Sequence, residues 1–172
     1  MSIQDALNVL ATKPTDIKKA YIYVQGDVEL DSTIDIPAGR DITIQTTDYD
    51  AITGSTNYST IPLYTDDIPT PHDSSSPYTI KRKAGFKGPM FKVEHGTSNL
   101  SFYNITVDGN NSETAYAPVV ELSAGSVKLR DNTTIQNNNV AKQEISGTTY
   151  TPKASAIDVS GSGILTMNGL TK

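Results

Sequence analysis

The chain has no cysteine and no tryptophan, only two histidines and three phenylalanines in 172 residues. The absence of cysteine excludes a disulfide framework and any thiolate metal site. No apolar run approaches the roughly 18 residues that span a bilayer. The first residues lack a basic region and carry Asp5, so they do not read as a secretory signal. An exported form would have lost its signal already. The net charge is −5. A mildly acidic chain lacks the basic face that phosphate backbones require, so nucleic acid is not the expected partner, and membrane insertion is not expected either.

What the chain has is Thr, Ser, Asn, Asp, Ile and Val in abundance, a mixture that favours short strands and many turns over helix. One helix is predicted at the start. Ile3, Ala6, Leu7 and Leu10 fall on one helical face, Ser2 is placed to cap it, and Pro14 closes it. Residues 1–14 are therefore expected to form a short capping helix. Its apolar stripe must be buried, either on the side of a sheet or over the open end of the strand-rich body.

Strands come next. In "YIYVQGDVEL" and "STIDIPAGRDITIQT" the inward candidates are Ile22, Val24, Val28, Leu30, Ile34, Ile36, Ile42 and Ile44. Helices do not alternate with these strands, which argues against a doubly wound α/β sheet.

A repeat organises the rest. "MFKVEHGTSNLSFYNITVDGNN" (90–111) aligns with "PVVELSAGSVKLRDNTTIQNNN" (118–139) and with "SAIDVSGSGILTMNG" (155–169). Each copy has an apolar pair two residues apart, a glycine turn, and a second such pair. The first pairs are Phe91 and Val93, Val120 and Leu122, Ile157 and Val159. The second are Leu100 and Phe102, Val127 and Leu129, Leu165 and Met167. The turns hold Gly96, Gly125, and Gly161 with Gly163, and the first two copies continue to Val107 and Ile135 and end in asparagines. Val93 and Leu122 lie 29 residues apart, and Leu122 and Val159 lie 37 apart, the excess being the polar segment 140–153. A period of this size with strands alone describes stacked coils of a parallel β-helix. Asn110, Asn111, Asn137 and Asn138 then read as corner residues, because asparagine tolerates left-handed backbone and bonds to neighbouring coils.

The segments "TIDIPAGRDITI", "YTIKRKAGFKGPMFKV", "LSFYNITVDGN" and "SAIDVSGSGILTMNG" together resemble the pectate-lyase-like β-helix domains of large surface proteins from Gram-positive bacteria. The resemblance runs from Tyr21 onward, except for 47–77. It implies an all-β, right-handed parallel β-helix, a single domain over 1–172 within a longer surface protein, attached to the bacterial cell wall and monomeric within that larger chain. The implied partner is a carbohydrate or a component of the host or wall surface.

Catalysis is the competing expectation, since polysaccharide lyases and hydrolases share this fold. A lyase needs carboxylates for Ca²⁺ and a basic residue, and a hydrolase needs carboxylates facing each other. The three arginines, Arg40, Arg82 and Arg130, stand in no obvious cluster of acids. Asp108, in "VDGN", reads as a corner residue and His95 as a turn-flanking one. No catalytic residue is assigned from the sequence. No cofactor is expected: Ca²⁺ would have to use acids that lack a regular ligand spacing.

The inserted loop, residues 47–77, is the longest departure from the repeat, and loops of that length are commonly functional. It holds Tyr49, Tyr58 and Tyr64, flat faces for a sugar ring or a protein partner, beside Asp66 and Asp67. These five are the expected binding residues. The "KRKAGFK" run after it either meets an acidic polymer by charge or is a solvated face. The expected role is a non-catalytic surface adhesion domain. Its alternatives are a fragment of a polysaccharide lyase or hydrolase, and a structural stalk with no ligand.

Overall fold

The structure, a computed structural model, describes residues 2–16, 18–46, 76–112, 114–152 and 154–169. Helix α1 spans Ile3–Ala11. Its start is fixed by a reciprocal capping box: the Asp5 amide donates to the Ser2 hydroxyl at 3.0 Å, and the Ser2 amide donates to the Asp5 carboxylate at 2.9 Å. Those bonds hold the Asp5 carboxyl below its ordinary pKa. No basic residue occupies its last turn. Arg40 supplies one from a distance, donating to the carbonyls of Leu10, Lys13 and Pro14 at 3.3, 3.0 and 3.1 Å. Ile3, Leu7 and Leu10 are buried and join the one core formed by the inward residues of the strands. Among the described residues no helix is long and apolar enough to cross a membrane.

The strands are arranged in circuits. The first holds β1 (Lys19–Val24), β2 (Val28–Leu30) and β3 (Ile34–Asp35), and the second β4 (Asp41–Thr46), β5 (Thr79–Arg82) and β6 (Phe91–Val93). The third holds β7 (Asn99–Tyr103), β8 (Thr106–Asp108) and β9 (Val120–Leu122). In the fourth, β10 (Ser126–Leu129) and β11 (Thr134–Gln136) are separated from β14 (Ile157–Val159) by a hairpin, β12 (Gln143–Ile145) and β13 (Thr148–Tyr150); β15 (Ile164–Met167) begins a fifth. The chain visits three sheets in fixed rotation. The first sheet has the order β1-β4-β7-β10-β15, the second β2-β5-β8-β11, and the third β3-β6-β9-β14. Every pairing in these three is parallel, and among the described residues only the hairpin is antiparallel. The fold is all-β and solenoid-like, with one helix among the described residues.

The repeat seen in the sequence is the register of the sheets. Phe91, Val120 and Ile157 are ladder neighbours, as are Val93, Leu122 and Val159. Leu100 pairs with Val127 and Val127 with Leu165; Phe102 pairs with Leu129 and Leu129 with Met167. Ile42 and Ile44 extend these two ladders backward, and Val28, Ile80, Val107 and Ile135 form another. Like residues therefore stack in rows that run through the interior, except that Val159 and Met167 in the last ladder positions are exposed. Phe91 and Phe102, from different sheets, meet edge-on at 5.1 Å in its centre. Six of the eight early inward candidates are buried; Ile22 and Val28 are half-buried against the core.

The corners use the amides. Asn104 and Asn132, between the first and second sheets, have φ of 44° and 55°; Asn110 and Asn137, between the second and third, have 57° and 56°. Asp108 serves the second corner as an acceptor. One carboxylate oxygen takes the Asn110 amide at 2.8 Å, and the other takes Asn137 Nδ2 at 2.8 Å and Gln136 Nε2 at 3.0 Å. Asn138 binds the Ala117 carbonyl at 3.2 Å and that of Ser155. Asn111 is exposed.

Candidate functional site

Tyr49, Tyr58, Tyr64, Asp66 and Asp67 lie outside the described residues. The other polar residues singled out in the sequence occupy the strands and corners. His95 is exposed in a turn, where its carbonyl accepts the Ser98 amide at 2.9 Å. Arg82, inside the basic run, faces inward from β5 and is 1 % exposed, while Lys81 and Lys83 on either side are exposed. Period-two alternation produces this: Arg82 shares its face with Ile80. It is thus unavailable to an acidic polymer on the surface.

Arg130 is placed differently. It follows β10 on the outer face of the first sheet, and its guanidinium lies 5.2 Å from the centre of the Tyr103 ring. The outer face of a parallel strand is set by the same alternation that fills the core. In β1, Ile22 and Val24 turn inward, so Tyr21 and Tyr23 turn outward. Their rings stack at 6.4 Å with 17° between planes. In β4, Ile42 and Ile44 turn inward, so Thr43 and Gln45 turn outward.

The parallel register then assembles rungs across the sheet. One rung runs Tyr21, Thr43, Ser101, Lys128, Thr166. The next runs Tyr23, Gln45, Tyr103 and continues to Arg130. A third sets Asp41 between Lys19 and Asn99. A shallow groove of about 310 Å³ crosses the face between Tyr21 on β1 and Asn168 beyond β15, passing Lys128 and Arg130.

Gln45 is unusual on this face. It points outward, yet it is 1 % exposed, and neither atom of its side-chain amide has a hydrogen-bond partner among the described residues. An unpaired buried amide costs about 1–3 kcal/mol, so such a group is commonly explained by a ligand or an ordered water. Beside it, burial first and the neighbouring Tyr21 second push the Tyr23 phenol up to about 12. The Tyr23 hydroxyl is therefore a neutral donor and acceptor at any physiological pH.

The half-buried rings of Tyr23 and Tyr103, the half-buried Arg130 and the exposed Lys19 and Lys128 share one face and suit a polyhydroxylated ligand, whereas Tyr21, Thr43, Gln45 and Ser101 on the same face are buried beneath its surface. Sugar C–H faces lie on tyrosine rings, and forked donors meet neighbouring hydroxyls. Tyr21 and Tyr23 were accessible in the sequence through the alternation of "KAYIYV". The set as a whole was not, because it depends on the register of strands far apart in the chain. For a metal, no group of three or more histidine or acidic residues comes together among the described residues. Neither a family model, nor a curated protein, nor a solved structure matches this chain.

Proposed function

We propose that the chain is a right-handed, pectate-lyase-like parallel β-helix that serves as a non-catalytic binding domain, displayed outside a bacterial cell and presenting the outer face of its first sheet to a carbohydrate. The general preference of parallel strand crossovers supports the hand. The observation that carries the binding reading is the rung Tyr23, Gln45, Tyr103 and Arg130, where an unpaired buried amide stands between two aromatic rings and a guanidinium. The non-catalytic reading draws on the acid at the groove: Asp41 lies between Lys19 and Asn99 in its ladder, whereas a glycosidase sets two carboxylates across the bond it cleaves. The surface location and wall attachment rest on the sequence resemblance alone.

The test is an array of glycans and wall polymers probed with the protein, read for retained protein and for soluble product. Saturable binding without product, weakened in Tyr103→Ala and Arg130→Ala, is the expected result. Product released from any polymer would replace this reading with the enzymatic one. Failure to bind any glycan would favour the stalk.

A further inference from the structure

We infer that the corner between the second and third sheets carries a separate cleft for a negatively charged sugar unit. This goes beyond the sheet-face reading and does not depend on it, because the two surfaces share no residue.

The corner is built by connections that lengthen from circuit to circuit: residues 31–33, 83–90, 109–119 and 137–156. The longest contains the β12–β13 hairpin, which folds back over its predecessors. Gln143 Nε2 donates to the Thr114 carbonyl at 2.6 Å, the Ala141 amide donates to the Ala115 carbonyl at 3.0 Å, and the Tyr150 ring lies 4.2 Å from that of Tyr116. Ile145 thereby reaches the same cleft as Asp31 and Thr33 of the first circuit. The cleft is a wide one, open to solvent, with a volume of about 650 Å³, enough for a sugar ring, and Phe86 and Tyr116 line it.

Gly88 lies close under the rings at its floor. A Cβ on Gly88 would lie 3.1 Å from Phe86 Cε2 and 3.2 Å from the Tyr116 hydroxyl. Beneath the floor lies Arg82. Its guanidinium donates to the carbonyls of Gly88, Gly109 and Pro118 and to the Asn138 side-chain oxygen, tying three connections together. It lies 5.3 Å from the centre of the Phe86 ring. All these partners are neutral. Burial lowers the Arg82 pKa only to about 10, so its charge persists at neutral pH.

Above this buried cation, Lys83 and Lys87 are exposed at the rim. The acid lining the cleft is Asp31, 3.7 Å from Lys83. Three cations against one carboxylate make the site positive. A low-dielectric floor strengthens that field. The charges select an anion, and the rings select a body with an apolar face. A carboxylated sugar has both; a neutral sugar lacks the first and a simple anion lacks the second.

The experiment titrates D-glucuronate into the ¹⁵N-labelled protein and follows amide shifts. Saturable shifts centred on residues 83–88 and reaching Asp31, Thr33, Tyr116 and Ile145 are expected. Glucose should produce none at the same concentration, and acetate should bind at least about tenfold more weakly. Lys87→Met and Lys83→Met, at exposed positions that leave the core intact, should each weaken glucuronate about tenfold. Arg130→Ala should leave it unchanged, which separates this cleft from the sheet face. Equal binding of glucose, equal binding of acetate, shifts centred on Tyr103, or lysine variants that bind as the parent does would each overturn the inference.

Discussion

Asn132 donates its side-chain amide to the side-chain carbonyl of Asn104 at 2.5 Å, and both residues hold left-handed backbone one circuit apart. The corner thus uses asparagine twice over: for a backbone region other residues avoid, and for a bond between coils. The left-handed region costs an ordinary residue about 1–2 kcal/mol. Asn132→Ala should lower unfolding stability by about that much, and Asn132→Gly by less, because glycine adopts the conformation freely. Urea midpoints of the two variants check this. Equal losses would mean that the bond to Asn104, and not the backbone, is what asparagine supplies.

Glycine at Gly125 has a second reason besides its φ of +75°. A Cβ there would come within 2.2 Å of the Ser98 carbonyl oxygen and 2.5 Å of that of His95, both backbone atoms of the preceding turn. Gly39 has a similar φ of +73° with open space around it. Gly39→Ala should therefore cost only the backbone term, about 1–2 kcal/mol. Gly125→Ala should cost clearly more, since the stacked turns must separate. Thermal unfolding of the pair measures the difference. Equal costs would show that the stacking of turns yields easily.

The ladders were legible because alternation and period are local properties. Phe91 and Val93, or Leu100 and Phe102, declare their inward face within three residues, and aligning the copies by their apolar pairs gives the register the sheets adopt. Arg82 was not legible. Its run of basic residues reads as solvated until the inward phase of Ile80 is followed one step further, and its acceptors lie on three separate connections. The hairpin in 140–153 was also hidden, since "QEISGTTY" is polar and pairs only with itself. The outer face of the first sheet draws on residues that become neighbours only through the parallel register.

Arg82 makes its structural role testable apart from any ligand. Its fork reaches four acceptors on three connections, a geometry that a lysine ammonium does not reproduce. Arg82→Met would leave those buried acceptors without their donor, at about 1–3 kcal/mol for each that finds no substitute. A loss of about 3–5 kcal/mol is expected, with Arg82→Lys closer to Arg82→Met than to the parent. Denaturant unfolding gives the ranking. A lysine variant as stable as the parent would show that charge alone suffices in the corner.

Tyr23 predicts a pH dependence whose sign is set by its environment. The phenol is raised from 10.0 to about 12, first by burial and then by Tyr21. Between those values the folded protein keeps a proton that the unfolded chain gives up. The folded state therefore binds more protons, and stability falls as pH rises through that window. Below about pH 10 the contribution is fully present. Tyr23→Phe has no proton to lose, so its stability should decline less steeply between about pH 10 and 12, and one late phenolate transition should vanish from the ultraviolet titration. If the parent and Tyr23→Phe fall in parallel, the Tyr23 hydroxyl is open to water. The face beside Gln45 would then lack the low-dielectric character that makes an unpaired amide there costly.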